Sequence, residues 1–294
     1  MGFTIYKTFK IACLKNINSY EEFLNETFKG KNFLCKFTNV IINIFLCATF
    51  FIMISGFGTY INQAFGINKI MGSVILAVIS YIIFLKNIEG ITKINSIVIP
   101  ALIVIVLIIG IKNILNIDFN SLCTNIKIND NGIFFIIQAI LYASYNLILI
   151  MPVLINLKQF IRSKKQIKIV AILVSIIMFA MSILIFFILA NVNGNFANIE
   201  MPVVYAINQK FPEFNILYGF IILTAIFTTA ISLGISFLNN ICLNKKYFPQ
   251  FAAILCISSV IFSPIGFSNL VNFLFPLFGY LGILQIVFVF KLQV

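Results

Sequence analysis

Long uncharged apolar stretches alternate with short polar segments along most of the chain. Eight such stretches occur, each close to the roughly 20 residues that cross the hydrocarbon core of a bilayer as a helix. They lie at about 40–61, 70–85, 94–111, 133–157, 169–190, 216–238, 251–265 and 270–290. The sequence lacks the ten-residue alternation typical of membrane β-barrels. The pattern predicts an all-α fold, a polytopic transmembrane helix bundle of about eight spans.

Composition agrees with this pattern. Of the 294 residues, 61% are hydrophobic and 10% are charged, and the mean hydropathy is +1.09. Ordinary soluble domains contain about 45–50% apolar and about 25% charged residues. A chain this apolar cannot bury its surface in one water-soluble core, so we expect a lipid bilayer to surround it.

The basic residues lie between the apolar stretches, which is typical of topology signals rather than of a nucleic-acid surface. We therefore expect no nucleic-acid partner, despite a net charge of +12. With the amino terminus in the cytoplasm, sixteen of the 20 basic residues fall on that side: Lys7, Lys10, Lys15, Lys29, Lys31, Lys36, Lys86, Lys93, Lys158, Arg162, Lys164, Lys165, Lys168, Lys245, Lys246 and Lys291. The other four are Lys69, Lys112, Lys127 and Lys210. This asymmetry predicts a multi-pass protein of the cell (cytoplasmic) membrane with both termini in the cytoplasm.

Two regions follow from the same pattern. Residues 1–36 are too charged for a cleavable signal peptide, so we interpret them as a cytoplasmic amino-terminal segment. Residues 37–294 form a single predicted transmembrane domain. Its two longer outer loops are at about 112–132, with Asp118 and Asp130, and at about 191–215. Within the second, Met201–Lys210 fits either a short helix or a plain connecting loop.

Asp, Glu, Lys, Arg and His are missing from all eight stretches, which argues against a carboxylate-driven proton pump and against most intramembrane proteases. Paired carboxylates and histidine-assisted nucleophiles are also unavailable there, so we predict that the protein is not an enzyme. The chain has no histidine, and its six cysteines form no CxxC pair, so we expect no metal and no cofactor. A binding site must use hydroxyls, amides and free backbone groups.

The fourth stretch carries the first set of candidate substrate-binding residues, Tyr142, Ser144, Tyr145 and Asn146, with Pro152 shortly after them. Ser and Asn compete for backbone hydrogen bonds, and proline removes a donor. A helix interrupted here would expose backbone groups to a ligand. The alternative is an intact helix whose polar side chains contact its neighbours.

Two further stretches carry polar or small residues. In the first, Ser55, Gly56 and Thr59 are candidate substrate contacts, although small residues also mark helix packing. In the sixth, the hydroxyls of Thr228, Thr229 and Ser232 can coordinate a hard cation such as Na⁺. Such hydroxyls more commonly bond to the backbone of their own helix.

Several segments together resemble a known family, the YkvI-like membrane proteins, which are related to the amino acid–polyamine–organocation transporters of LeuT-like fold. The segments are ISGFGTYINQAFGI, KINSIVIPALIVIVLIIGI, YASYNLILIMPVLINLK, MPVVYAINQKFP and FTTAIS. The resemblance implies an inverted-repeat fold in which Tyr142–Asn146 is the break in the first helix of the second repeat. It also implies that Thr228, Thr229 and Ser232 form part of a sodium site, and that an outer lid lies at about 201–211.

The resemblance also implies helices that this sequence does not show. The glycine-rich broken helix that begins the family fold has no counterpart, and Met1 to about Cys13 resembles the end of a truncated span. We therefore expect a secondary transporter, or the greater part of one, for a small organic solute such as an amino acid or amine. Coupling to Na⁺ or H⁺ is a further expectation. The alternatives are a sensor or receptor that keeps the permease fold without transport, and a defective remnant.

Overall fold

The computed structural model describes residues 2–17, 20–28, 32–86, 91–116, 132–158, 161, 163–192, 199–242 and 244–291. The regular structure in this part of the chain is helical. The helices are α1 (Gly2–Leu14), α2 (Tyr20–Thr27), α3 (Asn32–Phe65), α4 (Lys69–Lys86), α5 (Ile91–Leu115), α6 (Gly132–Leu157), α7 (Lys164–Ala190), α8 (Pro202–Lys210), α9 (Pro212–Ile241), α10 (Phe248–Phe262) and α11 (Phe267–Lys291).

The prediction of about eight spans is confirmed, because eight of the described helices are long and apolar enough to cross a membrane. They are α3 to α7 and α9 to α11. The shortest spans contain 18 residues, which at 1.5 Å per residue is about 27 Å, close to the thickness of a hydrocarbon core. Pro264 does not remove the seventh span, since a 3₁₀ turn at Ser263–Ile265 extends α10.

Several helices extend beyond the predicted stretches. The structure has 34 residues in α3, where the apolar pattern predicts only 40–61. Helical hydrogen bonds do not depend on apolar side chains, so a helix can continue into the polar layers on either side of the hydrocarbon. The segment at Met201–Lys210 is helical, as α8, which begins with Pro202. The predicted loop with Asp118 and Asp130 lies outside the described residues.

The amino-terminal segment contains two helices, which the apolar pattern does not show. In α1, Ile5 and Phe9 are buried against Leu147 and Leu154 of α6 and against Ala171 of α7. The lysines of α1 interrupt its apolar run, which hides the helix from a search for long uncharged stretches. This segment is therefore part of a packed core.

The chain divides into two compact units, and the single transmembrane domain at 37–294 stays a prediction. The first unit contains Met1–Ile42, Ile128–Ala180 and Asn272–Val294, and the second contains Asn43–Lys127 and Met181–Val271. In the first unit, α1, α2, α6 and the end of α11 share a cluster that includes Met151 and Val289, and α1, α6 and α7 share another. In the second, α3, α4, α9 and α10 pack around Phe50, Leu76 and Ala230.

Close helix crossings in both units depend on glycine. In the first unit, a Cβ at Gly282 of α11 would lie 2.5 Å from the carbonyl oxygen of Ser144 in α6. In the second unit, a Cβ at Gly72 of α4 would lie 2.8 Å from the Cα atom of Gly58 in α3. Small residues at such crossings let the backbones approach, which is how helices associate in lipid.

The predicted interruption of α6 at Tyr142–Asn146 is wrong, because the helix continues from Gly132 to Leu157. The Ser144 hydroxyl donates to the Ile140 carbonyl at 2.7 Å, and the Asn146 amide donates to the Tyr142 carbonyl at 2.7 Å. Each of these two side chains finds an acceptor four residues back, so the helix is intact, although these hydrogen bonds go to its own backbone and not to neighbouring helices.

Replacing Gly72 with Leu should lower the thermal midpoint of the detergent-solubilised protein by several degrees. The added side chain meets the α3 backbone, and overpacking of this kind costs about 1–3 kcal/mol. Circular dichroism at 222 nm measures the midpoint. Gly132→Leu is the matched control, since no atom lies within 4 Å of a Cβ there. Equal midpoints for Gly72→Leu and the wild type would show that the crossing is not close-packed.

Candidate functional site

A polar cluster in the second unit gathers around the carboxylate of Glu200. The carboxylate forms an ion pair with Lys69, and it accepts hydrogen bonds from the Thr59 hydroxyl at 3.2 Å and from the backbone N–H of Phe267 at 2.8 Å. We call these four groups the Glu200 cluster. The Glu200 side chain is 19% exposed, against 48% for Lys69. The cluster therefore combines a mostly buried anion with an accessible cation.

The connection between α3 and α4 places Lys69 beside this carboxylate. Gly66 has a positive φ of 70°, which ends α3, and the Asn62 amide donates to the Ile67 carbonyl at 2.9 Å. The Asn68 side chain then accepts from the backbone N–H of Ile70 at 2.9 Å. These local bonds hold the start of α4 close to the end of α3, so Thr59 and Lys69 reach the same partner.

A second tight turn supplies the backbone donor. Gly266 has a φ of 92°, in the region that favours glycine, and it joins the 3₁₀ turn at Ser263–Ile265 to α11. Phe267 is the first residue of α11, so its N–H has no acceptor within the helix. Glu200 supplies that acceptor from outside the helix. Its negative charge also interacts favourably with the positive end of the helix dipole.

Opposing influences act on the pKa of the Glu200 carboxyl. Burial alone raises the pKa, because it disfavours the charged form. The hydrogen bond and positive charge of Lys69, with the Phe267 N–H and the Thr59 hydroxyl, outweigh burial and hold the pKa below its ordinary value. Glu200 is therefore ionised at neutral pH.

The three candidates in α3 lie together at this end of the second unit. The Ser55 hydroxyl donates to the Ser263 carbonyl at 3.2 Å, and Thr59 belongs to the Glu200 cluster. Gly56 faces the ring of Phe267, where a Cβ would lie 2.9 Å from Cδ2. Ser55 and Thr59 are buried. The structure thus brings Ser55, Gly56 and Thr59 against the turn that precedes α11.

Sequence reasoning missed Glu200, Lys69 and Phe267. Glu200 stands alone among apolar neighbours directly before Met201 and Pro202, which is an unusual place for a carboxylate. Of the Asp and Glu side chains whose burial the structure describes, it is the one that is not exposed. A solitary acidic residue at the start of an apolar helix was the available signal.

The proposed cation ligands in α9 do not share one direction. Thr228 is buried, and its hydroxyl lies 3.0 Å from the Thr224 carbonyl, while the Ser232 hydroxyl donates to the Thr228 carbonyl at 2.8 Å. Thr229 is exposed on another side of the helix. Two of the three hydroxyls therefore bond to their own helix, and the structure does not bring all three to one point.

The candidates in α6 lie in the first unit. Ser144 is buried at the Gly282 crossing, while Tyr142 is exposed. The ring of Tyr145 lies 4.4 Å from that of Phe275, centroid to centroid, and 5.4 Å from that of Tyr142. Tyr142 and Tyr145 thus contribute to a cluster of aromatic rings. Among the described residues, no three Cys, Asp or Glu side chains form a group that could hold a metal ion.

Comparison with known proteins gives two relatives. Over 258 residues the chain is 27% identical to the protein YyaD of Bacillus subtilis (strain 168), covering 86% of this chain and 74% of that protein. Over 251 residues it is 25% identical to the membrane protein YkvI of the same organism, covering 83% of this chain and 71% of that protein.

No family model matches the chain, and no solved structure matches it. The similarity to a bacterial membrane protein and the eight apolar helices agree with each other. The chain is an integral, multi-pass membrane protein.

Proposed function

We propose that the chain is a secondary transporter for a small organic solute that carries an ammonium group, such as an amino acid or a related amine. The Glu200 cluster is the observation that carries this proposal. It holds a mostly buried carboxylate that accepts a hydrogen bond from Thr59, and the only positively charged partner of that carboxylate in the cluster is one accessible lysine.

The chemistry of the cluster suits an organic ammonium ion. Thr59 and the Phe267 N–H are neutral donors, and both bond to the same carboxylate oxygen, Oε2. The remaining interaction is with the Lys69 ammonium, whose side chain is about half exposed. A solute ammonium offers the same charge and the same N–H donors, so it can take the place of Lys69. Lys69 then acts as a tethered competitor.

Opening and closing of a transporter require contacts that differ between two states. The cluster links α3, the start of α4, the segment before α8 and the first residue of α11. When a solute displaces the Lys69 ammonium, Glu200 loses its link to α4 and keeps its hydrogen bonds with Thr59 of α3 and Phe267 of α11. This difference lets solute binding favour one conformation over another.

The resemblance to YkvI-like proteins and to the amino acid–polyamine–organocation transporters supports the same function. In that scheme the protein lies in a bacterial cytoplasmic membrane, and the Glu200 cluster faces outward, as the positions of the basic residues predict. Coupling to Na⁺ through Thr228, Thr229 and Ser232, or to H⁺, stays a prediction.

Replacing Glu200 with Gln should weaken binding of an organic amine at least about tenfold, because a charge-assisted hydrogen bond becomes a neutral one. Lys69→Gln should tighten binding severalfold, since it removes the competitor. Isothermal titration of the purified protein with a panel of amino acids and amines measures both effects. Uptake of the same solutes into proteoliposomes measures transport.

The exposed ion pair between Lys112 and Glu213 provides matched controls in the same unit. Glu213→Gln and Lys112→Gln change charge as the test variants do, and they should leave binding unchanged. Equal binding by Glu200→Gln and the wild type would contradict the proposal. Binding without uptake would instead favour a sensor or receptor, and no binding of any solute would favour a remnant.

Acid should remove the stabilisation that the Glu200 cluster provides. Because the folded-state pKa lies below the unfolded value, the ionised carboxylate stabilises the fold above the ordinary carboxyl pKa of about 4.5, and this contribution disappears as the pH falls through the lowered pKa. The wild type should therefore melt at a higher temperature than Glu200→Gln at neutral pH, and the difference should shrink as the pH falls through the lowered pKa of Glu200.

Thermal unfolding of the wild type and of Glu200→Gln, measured in one detergent at a series of pH values, tests this pH dependence. Glu213→Gln is the reference, since exposed ion pairs contribute little to stability. A wild-type advantage over Glu200→Gln that is the same at neutral and acidic pH would mean that the charge of Glu200 does not stabilise the fold.

A further inference from the structure

A groove follows the contact between α1 and α7 in the first unit. Gly2 approaches Ser175 near one end, while Lys10 and Leu14 lie beside Ser163 and Ile167 near the other, so the two helices run in opposite directions. A Cβ at Gly2 would lie 3.2 Å from the Ala171 carbonyl oxygen, which shows how closely the helices meet there. The groove has two cavities with different chemistry.

The first cavity, of about 180 Å³, is basic, because two lysines stand in a lining that is otherwise mostly apolar. Lys10, Lys164 and the Ser163 side chain contribute to its lining, together with apolar groups of Cys13 and Ile167. Lys164 is the first residue of the α7 span, so this cavity lies at the end of the span. Two ammonium groups and a hydroxyl match the charge and hydrogen-bonding needs of a phosphate.

The second cavity, of about 450 Å³, is apolar. Phe3, Ile172 and Ile176 line it and are exposed, and Lys168 lies at its edge. The Ser175 hydroxyl in its lining donates to the Ala171 carbonyl at 2.7 Å, so that donor is already satisfied. Only 11% of an apolar 18-residue stretch of α7 is buried within the protein, which leaves most of that stretch for lipid.

The length of the groove corresponds to one leaflet. Eleven residues separate Lys164 in the basic cavity from Ser175 in the apolar one, which is about 16 Å along a helix. Half of a hydrocarbon core of about 30 Å is about 15 Å. Lys168 can keep its stem along the apolar cavity and extend its ammonium toward the basic one.

We propose that this groove binds one anionic phospholipid. The phosphate lies against Lys10 and Lys164, the Lys168 ammonium adds a third positive charge, and one acyl chain lies in the apolar cavity over Ile172 and Ile176. The charge of the basic cavity selects an anionic headgroup, and the apolar cavity requires an attached chain. The site is separate from the Glu200 cluster and does not depend on the transport function.

Native mass spectrometry of the full-length protein, stripped of lipid in a neutral detergent, tests the proposal. Phosphatidylglycerol and phosphatidylcholine with the same acyl chains are titrated separately. We expect one phosphatidylglycerol to bind with clear preference. The double variant Lys10→Gln/Lys164→Gln should lose about 25-fold of that preference, since each lysine near a charged lipid surface contributes about fivefold.

Three comparisons make the result specific. Lys86→Gln/Lys246→Gln removes two exposed lysines from the second unit and should keep the preference. Ile172→Trp narrows the apolar cavity without changing charge and should weaken both lipids alike. Glycerol phosphate, which has no acyl chain, should not displace the lipid.

The proposal is overturned if Lys10→Gln/Lys164→Gln binds phosphatidylglycerol as the wild type does. It is also overturned if the control double variant loses the same preference, because the effect would then follow net charge. Displacement by glycerol phosphate at the concentration of the lipid would indicate a phosphate site without a lipid. A double variant that fails to fold leaves Ile172→Trp as the decisive measurement, and unchanged lipid binding there overturns the acyl-chain assignment.

Discussion

Inside a bilayer every backbone N–H and C=O group must find its partner within the protein, because lipid offers none. The eight spans meet this requirement as continuous helices, and their polar side chains follow the same rule. Ser144, Asn146 and Ser232 each donate to a carbonyl four residues back. These hydrogen bonds within one helix let α6 stay intact at a sequence that could also form a broken helix. The polar residues of α6 therefore do not by themselves create a binding site.

Charge is subject to a related constraint, since an isolated ion is costly in hydrocarbon. The described Lys and Glu residues of the eight spans lie near the span ends, and among the described Asp and Glu side chains Glu200 is unusual because it is mostly buried. Its burial is tolerated because a lysine, a hydroxyl and a helix amino terminus all favour the ionised form. A group so completely stabilised from within the protein can exchange one partner for a ligand of the same chemistry, which connects the fold to the proposed transport of amines.

Packing in the two units follows from the weakness of any hydrophobic driving force between helices in lipid. Close packing of the backbones takes the place of that driving force. Small residues allow it where Gly58 meets Gly72 and where Gly282 meets Ser144. Where α1 meets α7, close approach at Gly2 coexists with exposed apolar side chains and three lysines. The same helix contact therefore both contributes to the core of the first unit and shapes a surface that fits a lipid.

Local pattern was enough to predict the number and approximate positions of the spans, and the helical option at Met201–Lys210, because length and hydropathy measure the surroundings that each segment requires. It also selected Ser55, Gly56 and Thr59, which the structure places together. It did not reveal α1 as a packed helix, the continuity of α6, or the outward direction of Thr229. The Glu200 cluster was inaccessible for a clear reason: Lys69 and Thr59 are 131 and 141 residues away from Glu200 in the chain. Hydropathy records the average environment of a segment, whereas the partners of a single carboxylate depend on which helix ends the packing brings within hydrogen-bonding distance.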